Sequence, residues 1–145
     1  MKVKNGDIWA VKSALEGVLK LPADKLSARG KYFMAKLGRK LSGPLADIEA
    51  ARTSLVQQYG EKTPSGYQVS PGEAFVAFQT AFAEVQDIET EVDWSPIMLT
   101  EKDGEAWTSG EMMALDRFIT FPEPDGVAVP AGRDGVSEGV PQLAN

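Results

Sequence analysis

The stretch SARGKYFMAKLGRKLSGPLADIEAARTSLVQQY, residues 27–59, decides the fold. Its larger apolar residues are Phe33, Leu37, Leu41, Leu45, Ile48, Leu55 and Tyr59, at steps of four, four, four, three, seven and four. On a helix of 3.6 residues per turn these positions form a single stripe. At 1.5 Å per residue such a helix reaches about 48 Å, longer than a compact domain of this size. The helix is therefore read as a spine along which other segments pack. Ser27 is its N-cap, with Asp24 as a rival start. Gly60 is read as a left-handed cap at its end. Ser42-Gly43-Pro44 falls inside it, and an internal proline costs about 3 kcal/mol. The stripe keeps its phase across that point, so the spacing predicts a kink or short break and no change of direction.

Before the spine, Asn5 is a candidate N-cap for a first helix. Ile8, Val11, Leu15, Val18 and Leu19 form its apolar face, and Leu21-Pro22 ends it. The short link to residue 27 makes the two helices an antiparallel hairpin. After the spine, Thr63-Pro64-Ser65-Gly66 is a turn and Tyr67 and Val69 alternate as a short strand. Ser70-Pro71-Gly72-Glu73 has the form of a capping box with proline at the first helical position. Phe75, Phe78, Phe82 and Val85 give the third helix a phenylalanine seam that should pack on the spine.

From Ile88 the period becomes two. Ile88, Thr90, Val92 and Trp94 fall on one face, and Glu89, Glu91 and Asp93 on the other. Ile97 and Leu99 resume the alternation after Pro96, so residues 88–99 are expected to form a small strand pair. Asp103-Gly104 reads as a turn, and Thr108-x-x-Glu111 as the capping box of a short helix with Met112 and Leu115 on its apolar side. One third of residues 122–145 is proline or glycine, without a period, which marks a segment that builds no core of its own. The expected fold is thus mainly α with a minor β element. A helical hairpin surrounds one long, kinked helix, with a third helix packed on it and a small strand pair. The domain spans 1–121 and an extended or disordered arm spans 122–145.

Composition narrows the chemistry. Cysteine and histidine are both absent, which removes disulfides, thiol nucleophiles, imidazole bases and the commonest zinc ligands. No phosphate-binding glycine loop occurs. Glu89, Glu91 and Asp93 are read as a solvated strand face rather than a site for a hard cation. Nothing fixes Glu101, Asp103 and Glu105 as the carboxylate pair of a glycosidase. No catalytic residue, metal site or cofactor is assigned, and the expectation is a protein that is not an enzyme. No apolar run is long enough for a bilayer. Asn5, Gly6 and Asp7 follow Lys2 and Lys4 where a signal peptide needs an apolar core.

Charge is unevenly laid out. Residues 1–44 carry a formal +7 and residues 45–145 a formal −13, which together make the net −6. The two parts are read chiefly as attracting each other within one fold. The basic part still offers a candidate interaction surface: Lys25, Arg29, Lys31, Tyr32, Lys36, Arg39 and Lys40. Trp107 is a candidate contact because large aromatics are over-represented at interfaces. Val127 and Val129 of the arm are spaced to dock onto a groove.

Three stretches recur together: Val3-Lys4-Asn5-Gly6-Asp7-Ile8, Gly30-Lys31-Tyr32-Phe33-Met34-Ala35-Lys36-Leu37 and Leu55-Val56-Gln57-Gln58-Tyr59-Gly60-Glu61-Lys62. With the later Asp87-Ile88-Glu89-Thr90-Glu91-Val92, the chain resembles small tailed-bacteriophage proteins of uncharacterised function. These are built on a helical hairpin with an acidic strand after it. The resemblance covers about residues 1–121, and Gly43-Pro44 departs from the unbroken helix the family implies. It implies a host-cytoplasm or virion setting and supplies no catalytic residues. The expected function is protein–protein binding, as a virion component or assembly factor with a phage structural protein as partner. A small modulator of a host factor is the alternative. A nucleic-acid accessory protein using residues 25–40 is a second one. A homo-oligomer is compatible with either protein-binding reading. A proline- and glycine-rich arm takes a fixed place when it lies on a neighbour, which favours the virion.

Overall fold

The computed structural model describes residues 1–122. The spine is one uninterrupted helix, α2 (Ala28–Tyr59), with Pro44 inside it. Of the expected kink or short break, the break is absent. Pro44 cannot donate to the carbonyl of Lys40, but Leu41 and Ile48, on either side of it, are both buried. Their burial, at about 1.5–3 kcal/mol per side chain, outweighs one lost bond. Ser42 Oγ also donates to the carbonyl of Arg39 at 2.8 Å within this turn.

The buried seam of α2 is Gly30, Met34, Leu37, Leu41 and Ile48. Phe33, Leu45 and Leu55 flank it half-buried, so Met34 takes the place the spacing assigned to Phe33. Against this seam lies α1 (Asn5–Leu19), through Ile8, Val11, Ala14, Leu15 and Val18. Asn5 is the first helical residue of α1, and Lys4 is the N-cap. The Asn5 side chain is spent on tertiary bonds, donating to the Val85 carbonyl at 3.1 Å and accepting from Thr90 Oγ1 at 2.6 Å. α3 (Glu73–Gln86) packs on both α1 and α2. Phe82 meets Trp9 edge-to-face at 5.9 Å, and Arg52 lies over Phe78 at 5.7 Å, while Phe75 is exposed.

Two expected caps differ. Ser70 does not cap α3: Gly72 is the N-cap, at φ +104°, a backbone region that favours glycine. Gly60 closes α2 in an extended conformation, φ −99°, because the chain passes directly into a hairpin of β2 (Glu61–Thr63) and β3 (Gly66–Gln68).

Residues 88–99 do not pair with themselves. β4 (Glu89–Glu91) is antiparallel to β1 (Lys2–Lys4), with Glu91 opposite Lys2 and Glu89 opposite Lys4. β5 (Ile97–Met98) is parallel to β6 (Ile119–Thr120). Both partners are distant in sequence, beyond the reach of a local period. Ile88, expected to face inward, is exposed, while Val92 and Trp94 are buried. Between β5 and β6 lie α4 (Glu101–Gly104), where a plain turn was expected, and α5 (Ser109–Leu115). Thr108 and Glu111 form the capping box of α5, whose Leu115 is buried while Met112 is exposed. No helix among the described residues is long and apolar enough to cross a membrane.

Asp103, 3% exposed, joins the distant halves of the chain. Its carboxylate accepts from the Ser27 backbone N–H at 2.8 Å and the Ser27 hydroxyl at 3.1 Å. It also accepts from the Thr100 backbone N–H at 3.3 Å and the Thr100 hydroxyl at 2.9 Å. Ser27 Oγ in turn accepts from Gly30 N–H at 3.0 Å, capping α2. A Cβ on Gly30 would come within 2.8 Å of the Leu26 side-chain tip and 3.3 Å of the Asp103 carboxylate, so a larger residue there would have to push Leu26 aside. Burial pushes the Asp103 carboxyl up, and the bonds from Ser27 and Thr100 outweigh it, leaving it below the usual carboxylate range.

Asp103→Ala should cost about 1–3 kcal/mol in denaturant unfolding, because it removes the shared acceptor of four part-buried donors. A depressed folded-state value means the carboxylate's stabilisation is present above the unfolded value of about 3.9 and is lost as pH falls through the folded value. Unfolding followed below pH 4 should therefore show a shallower loss of stability in Asp103→Asn than in the wild-type chain.

Candidate functional site

The basic residues of α2 divide by helix phase. At about 100° per residue, Arg29, Phe33, Lys36 and Lys40 share one flank of the buried seam. Tyr32 and Arg39 lie next to them, facing further outward, and Lys31 falls on the opposite flank. Lys25 is not on the helix: it sits in the preceding turn, where its N–H donates to the Pro22 carbonyl at 2.9 Å. The structure thus gathers Arg29, Tyr32, Lys36, Arg39 and Lys40 into a stripe about 16 Å long. Lys25 and Lys31 stand outside it.

The segment from Asp93 to Met98 is tied to this stripe at both ends. Lys40 Nζ bonds Asp93 at 3.1 Å, and Arg29 Nη1 donates to the Met98 carbonyl at 2.6 Å. The segment therefore runs antiparallel to α2 along the flank of the seam. Parallel pairing turns Ile97 and Leu99 N–H toward β6, where they meet the carbonyls of Phe118 and Thr120. Met98, between them, turns its carbonyl to Arg29. The Arg29 guanidinium also lies 4.8 Å from the centre of the Phe33 ring, and Phe33 meets Tyr32 edge-to-face at 5.1 Å. Tyr32 and Met98 are each 56% exposed. Tyr32 is thus held in water by Phe33, and the Met98 side chain is exposed where its backbone meets Arg29.

The charge halves attract each other as expected, though only in part. Lys4–Asp87, Lys12–Glu49 and Lys40–Asp93 each join the basic first part to the acidic remainder. The hydrogen bond and charge of Lys40 hold the Asp93 carboxyl below its ordinary range, and those of Lys4 do the same for Asp87. Among the described residues, Lys40 is the one cation of the stripe in an ion pair. Arg29, Lys36 and Arg39 have no carboxylate within 4 Å there.

Trp107 is not a surface contact. It is 7% exposed and packs edge-to-face on Phe121 at 5.1 Å. Its indole N–H has no hydrogen-bond partner among the described residues. Val127 and Val129 lie outside the described residues. Met98 was missed because its exposure follows from the parallel pairing of β5 with β6, which no local spacing signals. A groove of about 700 Å³ between α1 and α5 is lined by Asp7, Ala10, Met113, Ala114 and Arg117, and the Arg117–Asp7 pair, 3.2 Å, lies on it. Among the described residues no group of three acidic side chains is placed to hold a metal ion.

Comparison of the chain with protein-family models, with curated proteins and with solved structures finds no match.

Tyr32→Ala and Lys36→Ala should leave thermal stability within about 0.5 kcal/mol of the wild type, since neither side chain supports the core. Arg29→Ala removes a charge-assisted bond and the contact with Phe33, and should cost about 1 kcal/mol. Equal effects in all three variants would show that the stripe is ordinary helix surface.

Proposed function

We propose that this chain is a non-enzymatic protein that works by binding another protein through the stripe of α2. The observation that carries the reading is the exposure of Tyr32 and Met98 beside Arg29, Lys36 and Arg39. Tyr, Met and Arg are enriched at protein interfaces, and a few such residues supply most of the binding energy. Cations without carboxylate partners suit an acidic partner surface, and Tyr32 and Met98 supply apolar anchors.

The resemblance of residues 1–121 to tailed-bacteriophage proteins supports reading this activity in a phage setting. The partner is then a phage structural protein, with the chain as a virion component or assembly factor. A host factor modulated by the chain is the other reading. Nucleic acid is a poorer fit, because Asp93 is paired with Lys40 on the stripe and the rest of the molecule is acidic, which repels a polyanion.

Affinity capture from infected cells, with wild-type chain and with the Tyr32→Ala/Lys36→Glu variant, tests the reading. A discrete protein held by the wild type should fall at least about tenfold in the variant, a loss of about 1.4 kcal/mol or more. Equal capture by both would remove the stripe as the binding face. Tight, salt-sensitive binding to random duplex DNA, weakened in the same variant, would move the assignment to nucleic acid.

A further inference from the structure

The cover on α2 is uneven along its length. Ile48 is its last buried residue, and the helix runs on to Tyr59 through about three more turns. Leu55 and Tyr59 continue the apolar stripe there, yet both stay half-buried. Helices in proteins draw most of their stability from a packed apolar face, and these turns have only part of one. The hairpin that follows has the same shortage. β2 and β3 form a sheet of two strands in which every residue except Thr63 is exposed, and two strands alone are marginal in water. α3 then begins, with Phe75 and Val76 in its first turn. Arg52 over Phe78 sets this part of α3 against the last turns of α2. Tyr67, Phe75 and Val76, all at this end of the molecule, are 43%, 42% and 60% exposed.

This end is also poor in charge. Residues 50–82 hold four charged side chains, Arg52, Glu61, Lys62 and Glu73, two of each sign, in a chain that is 25% charged. All four are exposed, and none is in an ion pair among the described residues. Aromatic rings with few charges among them are the composition of an interface centre. The balance of signs points to the occupant. The chain carries −6, so two copies repel each other over most of their surface. A face of zero net charge is where they approach at least cost. A contact about a twofold axis lets the two cations of one copy meet the two carboxylates of the other. A basic partner is drawn instead to the acidic remainder, and an acidic one to the stripe.

We infer that the end of the molecule formed by the last turns of α2, the β2–β3 hairpin and the first turn of α3 is a contact between two copies of this chain. Tyr67, Phe75 and Val76 form its apolar centre, and Arg52, Glu61, Lys62 and Glu73 its polar rim. Lys40, at the near end of the stripe, is about 18 Å from Arg52 along α2, so the contact leaves the stripe open. The dimer presents two stripes, and its formation does not depend on what they bind.

Sedimentation equilibrium of the full chain over a wide concentration range tests this. The wild type should be a dimer that dissociates on dilution. Val76→Asp puts a charge in the centre of the contact without touching the core, and should raise the dissociation constant at least about tenfold. Arg52→Glu/Lys62→Glu makes the face wholly acidic, and Glu61→Lys/Glu73→Lys makes it wholly basic. Each of these variants alone should be a monomer, and an equal mixture of the two should form a dimer. That restoration is specific to a second copy. Met113→Asp, on the groove between α1 and α5, should leave the dimer intact. Fluorescence of the buried Trp94 reports that each variant is folded. A wild type that stays monomeric at every concentration overturns the inference. So does a dimer indifferent to Val76→Asp, or a mixture of the two charge variants that stays monomeric.

Discussion

A single buried carboxylate ties the fold together. Asp103 takes hydrogen bonds from Ser27, which starts the long helix 76 positions earlier, and from Thr100, which starts a short one. Burying a charge is costly unless its bonds are complete, and here four donors complete them. The same network relays through Ser27 Oγ to Gly30 and so caps α2. Fixing Thr100 also fixes Met98 two residues before it. Met98 and Arg29 then meet, and the exposed edge of β5 is set against the basic flank of the helix. The surface proposed to bind a partner is in this sense a consequence of the clasp beneath it.

The stripe also shows how net charge is distributed in a small fold. A basic first part and an acidic remainder attract each other within the molecule, and three lysine–carboxylate pairs join them here. They leave the middle of the basic flank unpaired among the described residues and place Tyr32 in water beside it. Holding an aromatic ring exposed is unfavourable for folding alone. Its position is nonetheless defined, by Phe33 beneath it and Arg29 over Phe33.

Local patterns in the sequence were sufficient for the helices. The phase of Leu37, Leu41 and Ile48 fixed the seam of α2, and Ser27 and Thr108 with Glu111 fixed two helix starts. The misses share one physical origin, contacts between distant segments. Asn5 is drawn from capping to bonding Val85 and Thr90, and β4 pairs with β1 instead of the strand that follows it. Pro44 is carried through by burial on either side of it. Asp103 looked like half of a turn, though Thr100-x-x-Asp103 has the spacing of a capping box and was a signal within reach. Of the site, the cations and Tyr32 were legible. Met98 was not, and Trp107 was misplaced because an aromatic ring serves a core as well as an interface. Lys31 was grouped with the stripe by sequence proximity, which helix phase undoes.

The account depends on Ser27 and Thr100 acting as one unit through Asp103. A double-mutant cycle of Ser27→Ala and Thr100→Ala, read by denaturant unfolding, measures that directly. The shared carboxylate predicts a coupling energy of at least about 0.5 kcal/mol, because the second substitution acts on a clasp already opened by the first. Strict additivity of the two substitutions would contradict it.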